Sequence, residues 1–254
     1  MENRLKFWDE RASMGYEAGS NDKILKDLEI NELKKYIDNK AKILEIGCGN
    51  GFTSIEIANS FDVEIQAFDY SEKMINFANN LLKDSKNLHL EDKVKFKVFD
   101  IRKLDQFEGE FDIIITERVL INLDSFDEQM EAIKNISSKL KKGGLFLMCE
   151  SSKDGLKNIN TERTKFNLDN IEMPWHNNYI DDNELNSQIN NLDLELIEIN
   201  NFSSTYYFLS RIIYANYAKM NNEEIKYDSV INKMSMKLPS FGNYSQTKIW
   251  VWKK

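Results

Sequence analysis

Short apolar runs and longer amphipathic segments alternate along the first half of the chain. The apolar runs predict five strands, at residues 42–46, 63–68, 94–99, 111–116 and 145–149, and the segments between them predict helices at 52–60, 71–83 and 125–140. Ser71 is a suitable N-cap for the second helix, and the KKGG of residues 141–144 ends the third. Because strands that alternate with helices form right-handed βαβ units, the pattern predicts an α/β fold with a doubly wound, mostly parallel sheet.

The pattern changes after Cys149. Residues 151–190 are polar and include Pro174, which favours an irregular insertion over the sheet. Residues 192–200 alternate strictly and predict a strand, residues 205–220 are apolar almost all round and predict a buried helix, and residues 245–252 predict a last, aromatic-rich strand. No internal repeat or flexible linker interrupts the chain, so we expect a single domain over residues 1–254.

The charge balance is acidic, with 34 Lys and Arg against 42 Asp and Glu and a formal net charge of −8. Because non-specific binding of nucleic acid depends on clustered cations, and no Lys/Arg block occurs, we expect no nucleic-acid partner. Cys48 and Cys149 form no CxxC pair, which favours reduced thiols. The N-terminus is unlike a signal peptide, and no apolar run approaches the ~20 residues that span a bilayer. We therefore expect a cytoplasmic protein without membrane insertion, and its oligomeric state stays open.

A glycine-rich turn follows the first predicted strand. In GCGNGF, Gly47, Gly49 and Gly51 allow a sharp turn and bring backbone amides close to a ligand at a helix N-terminus. Asp69 ends the next strand, where a carboxylate can accept both hydroxyls of a ribose. The two features together favour an adenosine-containing ligand. The alternative is a tight turn with a strand-end aspartate that caps a helix.

The motifs ILEIGCGNG, AFDYSEKMI, VFDI, FDIIITERVLINL and LKKGGLFLMCES follow in order. This series resembles that of the class I S-adenosylmethionine-dependent methyltransferases. The resemblance implies a seven-stranded sheet with a terminal antiparallel hairpin and helical insertions that form a cap. It divides the chain into an N-terminal helical cap (1–40), a cofactor-binding half (41–150), and substrate insertions with the closing hairpin (151–254). The implied cofactor is S-adenosylmethionine, with S-adenosylhomocysteine as the product.

The resemblance also implies roles for eleven residues that would contact or support the cofactor. Gly47 and Gly49 would hold its methionine part, Asp69 its ribose, and Asp100 its adenine amino group. Glu117 would lie near the ammonium. Glu45 would organise the glycine loop, Tyr70 and Met74 would flank the adenine, and Ile101 would lie beside Asp100. Tyr16 and Gly19 would contact the cofactor from the cap. The alternative for the cap is that Phe7, Trp8 and Tyr16 only pack a helix against the domain.

Candidates for binding the methyl acceptor come from the second half of the chain. His176, in MPWHNNYIDD, has an ordinary pKa that suits a general base near neutrality, and Asn177 and Tyr179 beside it are further substrate contacts. Three arginines, Arg118, Arg163 and Arg211, are candidate holders of an anionic acceptor. The alternatives are that His176 orders its loop and that Arg211 pairs with a protein carboxylate such as Glu150.

Segments such as CESSKDGLKNINTER and PWHNNYIDDNEL also resemble a bacterial subgroup associated with surface polysaccharides and small metabolites. This implies an oxygen acceptor on a sugar or on a phosphorylated or nucleotide-linked precursor, as in capsule biosynthesis. A small-molecule N-methyltransferase is the nearest alternative. A nicotinamide oxidoreductase and a catalytically silent cofactor-binding regulator are the alternatives from other classes. Two isolated histidines and scattered carboxylates form no metal-ligand spacing, so we expect metal independence.

Overall fold

A seven-stranded sheet forms the centre of the protein. The structure, a computed structural model, describes residues 2–188 and 191–254, so Met1 and the last two residues of the predicted 151–190 insertion lie outside it. The strands are β1 (Lys42–Ile46), β2 (Glu64–Asp69), β3 (Val94–Val98), β4 (Phe111–Glu117), β5 (Leu140–Ser151), β6 (Glu195–Asn200) and β7 (Thr247–Lys253). They lie in the order β3-β2-β1-β4-β5-β7-β6. β7 is antiparallel to β5 and β6, and the other neighbouring pairs are parallel, which confirms the predicted fold class.

Helices cover both faces of this sheet. They are α1 (Glu2–Arg11), α2 (Lys23–Leu33), α3 (Phe52–Ser60), α4 (Glu72–Leu82), α5 (Phe126–Lys139), α6 (Lys153–Lys165), α7 (Asp182–Gln188), α8 (Ser204–Tyr207), α9 (Ala215–Asn221) and α10 (Val230–Ser235). Ser71 is the N-cap of α4, as predicted, and its side chain accepts a hydrogen bond from the amide of Met74.

The core lies on the two faces of the sheet because successive strand residues point to opposite sides. Leu44 and Ile114 contribute to one buried cluster, whereas their neighbours Ile43 and Ile113 contribute to the other. The central strands are therefore apolar in continuous runs, which is typical of parallel strands covered on both sides.

The prediction of an irregular insertion at residues 151–190 is wrong in its first part. Helix α6 begins directly after its N-cap Ser152, whose side chain accepts from the amide of Gly155. Its sequence, KDGLKNINTERTK, carries few apolar residues, and Ile159 is the buried one among them. The apolar residues of α6 were thus too few to indicate a helix. At its closest approach to the rest of the protein the helix presents Gly155, which packs against the backbone of Ser245.

The predicted buried helix at 205–220 is present in three consecutive pieces. α8 leads into a π-helical stretch, Phe208–Tyr214, which continues into α9. Arg211 lies inside the π-helical stretch.

The order β2-β1-β4 places a topological switch point between β1 and β4, since the chain runs outward from β1 in both directions. In open α/β sheets, ligands bind at such a point, beyond the carboxyl ends of the strands.

Candidate functional site

The loop after β1 approaches this switch point with bare backbone. Gly47, Gly49 and Gly51 have φ values of +65°, +52° and +80°, which favour glycine. A Cβ on Gly47 would lie 2.9 Å from Cγ1 of Val119, so a larger residue would displace that side chain. A Cβ on Gly49 would meet nothing within 4 Å, because this glycine faces open space. The loop therefore presents main chain to a cleft.

The cleft has two lobes that share Gly47, Asp69, Tyr70, Val119 and Asn122. The larger lobe holds about 850 Å³ and the smaller about 520 Å³ of space that is continuous with solvent. All eleven residues predicted for the cofactor line one or both lobes: Tyr16, Gly19, Glu45, Gly47, Gly49, Asp69, Tyr70, Met74, Asp100, Ile101 and Glu117. These residues come from five separate segments of the chain, which meet along one groove.

Asp69 lies where the two lobes join. Its Oδ2 accepts from the amide of Gly49 at 3.0 Å, and its Oδ1 accepts from the amide of Ser71 at 2.8 Å. Burial raises the pKa of Asp69 to about 6, although both amide donors oppose this shift. Since a carboxylate offers about four acceptor positions, each oxygen can still accept one further donor.

Asp100 lines the smaller lobe beyond the end of β3. Its Oδ1 accepts from the backbone amide of Arg102 at 3.0 Å and from Nε of the same residue at 2.8 Å. Although burial opposes ionisation, Arg102 keeps the pKa of Asp100 below its ordinary value. The carboxylate is therefore ionised at neutral pH and lies at the edge of an apolar lobe.

A group of charged side chains lies in the larger lobe, at the end of β4. Glu117 accepts from Nζ of Lys26 and, at 2.8 Å, from Oγ1 of Thr53. Arg118 Nη2 lies 3.3 Å from Oε2 of Glu29 and 3.6 Å from Oε1 of Glu117. Burial opposes ionisation of Glu117, but Lys26 and Arg118 hold its pKa at about 2. Burial raises the pKa of Glu29 to about 8.

Glu45 lies beneath the glycine loop, where its Oε2 accepts from the hydroxyl of Ser54. Burial raises the pKa of Glu45 to about 7. This hydrogen bond connects β1 to the first turn of α3, on either side of the glycine loop.

The N-terminal segment, residues 4–20, forms one wall of the cleft. Arg4, on α1, forms an ion pair with Asp124 and donates from Nε to the carbonyl oxygen of His176 at 2.8 Å. Farther along, Asn50 of the glycine loop donates to the carbonyl oxygen of Gly15.

Tyr16 combines the two alternatives weighed for the cap. It lines the larger lobe, and its ring also packs 4.8 Å from the ring of Phe52. Trp8 lines the same lobe as well.

His176 lies against this N-terminal segment and does not line either lobe of the cleft. Its ring stacks on Phe7 at 4.4 Å and meets Trp8 edge-on at 5.7 Å. Burial, together with Arg11 and Arg4, lowers the pKa of His176, so the ring is neutral at pH 7. Its Nδ1 is buried and has no hydrogen-bond partner among the described residues. Trp8, whose ring contacts His176, lines the larger lobe.

The other predicted acceptor contacts separate into one group at the cleft and one away from it. Arg118 lines the larger lobe. Arg163 donates to the carbonyl oxygens of Asp169 and Arg211, and Tyr179 is buried, with its hydroxyl accepting from Gln246. Of the residues predicted to bind the acceptor, Arg163, His176, Asn177, Tyr179 and Arg211 line neither lobe.

Arg211 pairs with Asp22, not with the Glu150 considered from the sequence. Its Nη2 lies 2.5 Å from Oδ2 of Asp22, and Tyr206 donates to the same carboxylate. Glu150 instead accepts from the backbone amides of residues 119–121. These partners favour the structural alternative for Arg211, because the guanidinium is already neutralised.

Several residues that line the cleft were not predicted: Arg4, Trp8, Ser20, Lys26, Val119 and Asn122. For Trp8, the sequence suggests only the packing of a helix against the domain. Lys26 gave no signal because it occupies an amphipathic helix, α2, on which lysines are common. Its position became evident only from its contact with Glu117.

Comparison with known proteins assigns the family. Residues 37–206 match the model of a family described as a methyltransferase domain, and the chain belongs to this family. The match confirms the predicted class, the S-adenosylmethionine-dependent methyltransferases. The subtype associated with surface polysaccharides is not distinguished by this match.

Individual relatives are similar over part of the chain. Phosphoethanolamine N-methyltransferase 3 of Arabidopsis thaliana is 30% identical over 115 residues, which are 44% of this chain and 22% of that protein. 27-O-demethylrifamycin SV methyltransferase of Amycolatopsis mediterranei is 28% identical over 103 residues, 41% of this chain and 36% of that protein. The matched segment thus spans about a fifth to a third of these relatives' length.

Among solved structures, the mycolic acid cyclopropane synthase CmaA1 complexed with SAH and CTAB has a TM-score of 0.58 to this chain at 14% identity. The alignment covers 91% of this chain and 84% of that one, which shows a shared fold.

Within residues 2–188 and 191–254, no group of three His, Cys, Asp or Glu residues could hold a metal ion. In the same part of the chain, no helix has the length and apolar character needed to cross a membrane. Metal independence stays a prediction.

Proposed function

We propose that this protein transfers the methyl group of S-adenosylmethionine to an oxygen of a small polar or anionic acceptor. A sugar, or a phosphorylated or nucleotide-linked precursor such as those of capsule biosynthesis, is the proposed acceptor class. The observation that carries the proposal is the single groove that joins the bare loop at Gly47 and Gly49 to the carboxylates of Asp69 and Asp100.

The described residues fit the cofactor. The backbone at Gly47 and Gly49 would hold the methionine part, since a side chain at Gly49 would enter the groove. Asp69 has one acceptor position free on each oxygen for the two ribose hydroxyls. Asp100 would accept from the adenine amino group, with Tyr70, Met74 and Ile101 flanking the ring, and Glu117 would accept from the ammonium.

The bound sulfonium supplies a methyl group that is already activated for displacement. The protein therefore has to align the acceptor with it and exclude water, and such alignment can supply roughly 7–11 kcal/mol of the barrier. The cover formed by α1, with Trp8 over the larger lobe, supports the exclusion of water.

His176 is the proposed base or orienting donor for a hydroxyl acceptor. Its lowered pKa keeps the ring neutral, and its buried Nδ1 has no partner among the described residues. Because the ring contacts Trp8 and does not line the cleft, this role requires the cover to rearrange when an acceptor binds. Arg118, in the larger lobe, is the proposed holder of an anionic group on the acceptor. Arg163 and Arg211 are left out of this role because neither lines the cleft and both guanidinium groups bind protein partners.

Methylation at nitrogen is the second candidate. One relative is named a phosphoethanolamine N-methyltransferase, and that match covers 44% of this chain. An amine acceptor would use the same cleft, because the cofactor groups are common to both reactions.

The test is release of S-adenosylhomocysteine from S-adenosylmethionine in the presence of matched hydroxyl and amine acceptors, including sugars, nucleotide-linked sugars and phosphorylated amines. We expect turnover with hydroxyl acceptors. Turnover with amines alone would replace the proposal by the second candidate. Binding of S-adenosylhomocysteine without turnover on any acceptor would favour a silent binding protein.

The variant His176→Ala should lower turnover at least tenfold and leave the affinity for S-adenosylhomocysteine unchanged. The matched control is His89→Ala, because His89 is the other histidine of the chain and contacts Asn59 at the exposed surface. Equal turnover by both variants would exclude His176 from the reaction.

A further inference from the structure

Lys26 is the one lysine among the residues that line the larger lobe, and no role has been assigned to it so far. It lies on α2, and its Nζ donates to Oγ1 of Thr53 at 2.8 Å and to Oε1 of Glu117. Thr53 in turn donates to Oε2 of the same glutamate at 2.8 Å. The Lys26 side chain is 18% exposed, so its ammonium group is mostly removed from water.

Cationic and anionic side chains lie side by side around this lysine. Lys26 and Arg118 are cations, and Glu117 is the carboxylate that both of them hold ionised. Glu29 is fully buried, and burial raises its pKa to about 8, so it is mostly protonated at pH 7. Glu45, with a pKa of about 7, is half ionised and turned toward Ser54. The lobe therefore complements a ligand that brings a carboxylate together with an ammonium group.

We propose that the Lys26–Glu117 ion pair occupies the place of the amino-acid end of the cofactor and opens when the cofactor binds. Glu117 then accepts from the ammonium of the ligand, and Lys26 turns to bind the ligand carboxylate. Arg118 stays with Glu29 and Glu117. This inference rests on the proposed function, because it names the residue that recognises one end of the same cofactor.

The flexibility of lysine and the number of ion pairs both favour the exchange. Its charge is a compact ammonium at the end of four flexible methylenes, so it can reorient without movement of α2. One buried ion pair is replaced by two, so none of the four charged groups is left buried without a partner, which would be strongly unfavourable.

Three ligands separate the contributions of the two charges. S-adenosylhomocysteine carries both the ammonium and the carboxylate, its decarboxylated analogue carries the ammonium alone, and 5′-methylthioadenosine carries neither. The measurement is the dissociation constant of each ligand, by calorimetry, for the wild-type protein and for Lys26→Met.

We expect Lys26→Met to weaken binding of S-adenosylhomocysteine by about 10- to 100-fold, because a charge-assisted hydrogen bond is lost. The decarboxylated analogue should bind as tightly or more tightly, since Glu117 no longer has to release a lysine. Binding of 5′-methylthioadenosine should change less than about twofold, which also reports that the variant is folded.

The control variant is Lys34→Met, next to the end of the same helix. Its side chain is 19% exposed and forms an ion pair with Glu56 at 3.4 Å, away from the cleft. It should leave all three dissociation constants unchanged.

The inference is overturned if Lys26→Met affects S-adenosylhomocysteine and the decarboxylated analogue to the same extent, or affects neither. That result would leave Lys26 as a structural partner of Glu117. If the wild-type protein binds none of the three ligands, the proposed function fails and the inference fails with it.

Discussion

Replacement of Asp69 by Asn tests the binding of ribose most directly. The side chain keeps its size, but it loses its charge and one acceptor oxygen. In the protein, each Asp69 oxygen already accepts one backbone amide, from Gly49 and Ser71, and retains one position for a hydroxyl. A hydrogen bond to a charged group contributes about 1.5–3 kcal/mol. Loss of one such bond and weakening of the other should therefore reduce the affinity for S-adenosylhomocysteine about 30- to 1000-fold.

The pKa of Asp69 adds a second, independent signature. Because burial raises this pKa to about 6, the carboxylate of the free protein becomes protonated as the pH falls below that value. A ligand that needs the ionised form then binds up to about tenfold more weakly per pH unit. The affinity of the wild-type protein should fall between pH 6 and pH 5, whereas the affinity of Asp69→Asn should be low and nearly constant.

Calorimetry or equilibrium dialysis at pH 5, 6, 7 and 8 measures both effects. Asp100→Asn is the control for the pH dependence alone: it should bind more weakly but keep the fall below pH 6, because Arg102 holds the pKa of Asp100 below its ordinary value. The assignment of Asp69 to the ribose is wrong if Asp69→Asn binds as tightly as the wild type at pH 8, or if both proteins show the same dependence on pH.

Three further predictions concern stability. Gly47→Ala should lower the melting temperature more than Gly49→Ala, because a Cβ on the former would overlap a valine side chain, whereas on the latter it would point into the open cleft; differential scanning fluorimetry compares the two. Arg211→Met should reduce the free energy of unfolding by about 3–5 kcal/mol in urea, because it leaves Asp22 buried without its ion pair, and adding Asp22→Asn should restore part of the loss; equal stability of the single and double variants would contradict this assignment. The folded protein holds a proton on Glu29 up to about pH 8, whereas the unfolded chain releases it near pH 4.5, so the free energy of unfolding should fall as the pH rises between these values, by at most about 1.4 kcal/mol per unit. Glu29→Gln should reduce that slope in urea titrations at pH 5 and pH 8, and an unchanged slope would show that Glu29 is not the group responsible.

The groups that follow strands could be predicted because their positions are local properties of the sequence. Gly47, Asp69 and Asp100 each come just after an apolar run, and parallel strands bring their carboxyl ends to one edge of the sheet. The order of runs and helices was therefore enough to predict that Gly47 and Asp69 meet, whereas the place of Asp100 was implied by the resemblance to the methyltransferases. The strands of the terminal hairpin could be located in the same way, from strict alternation and from aromatic residues.

Helix α6 shows where this reasoning failed. The helix buries little of its surface, so its sequence is polar and lacks a clear apolar period. Two remote segments hold it in place: Gly155 packs against the backbone of Ser245, and Ile159 packs with Tyr206 and Ile212. Such a contact depends on where a distant part of the chain lies, so the local pattern does not indicate it.

The sheet, the class of fold and the meeting of Gly47 with Asp69 at its carboxyl edge follow from the sequence, because short-range periodicity and the positions of strand ends specify them. The partners of the charged and aromatic side chains depend on the tertiary structure. Lys26 meets Glu117 across 91 positions, and Arg211 meets Asp22 across 189. The imidazole of His176 lies against Phe7 of the N-terminal helix. A buried charge takes whichever opposite charge the packing of remote segments brings near, and that packing is a property of the whole folded chain.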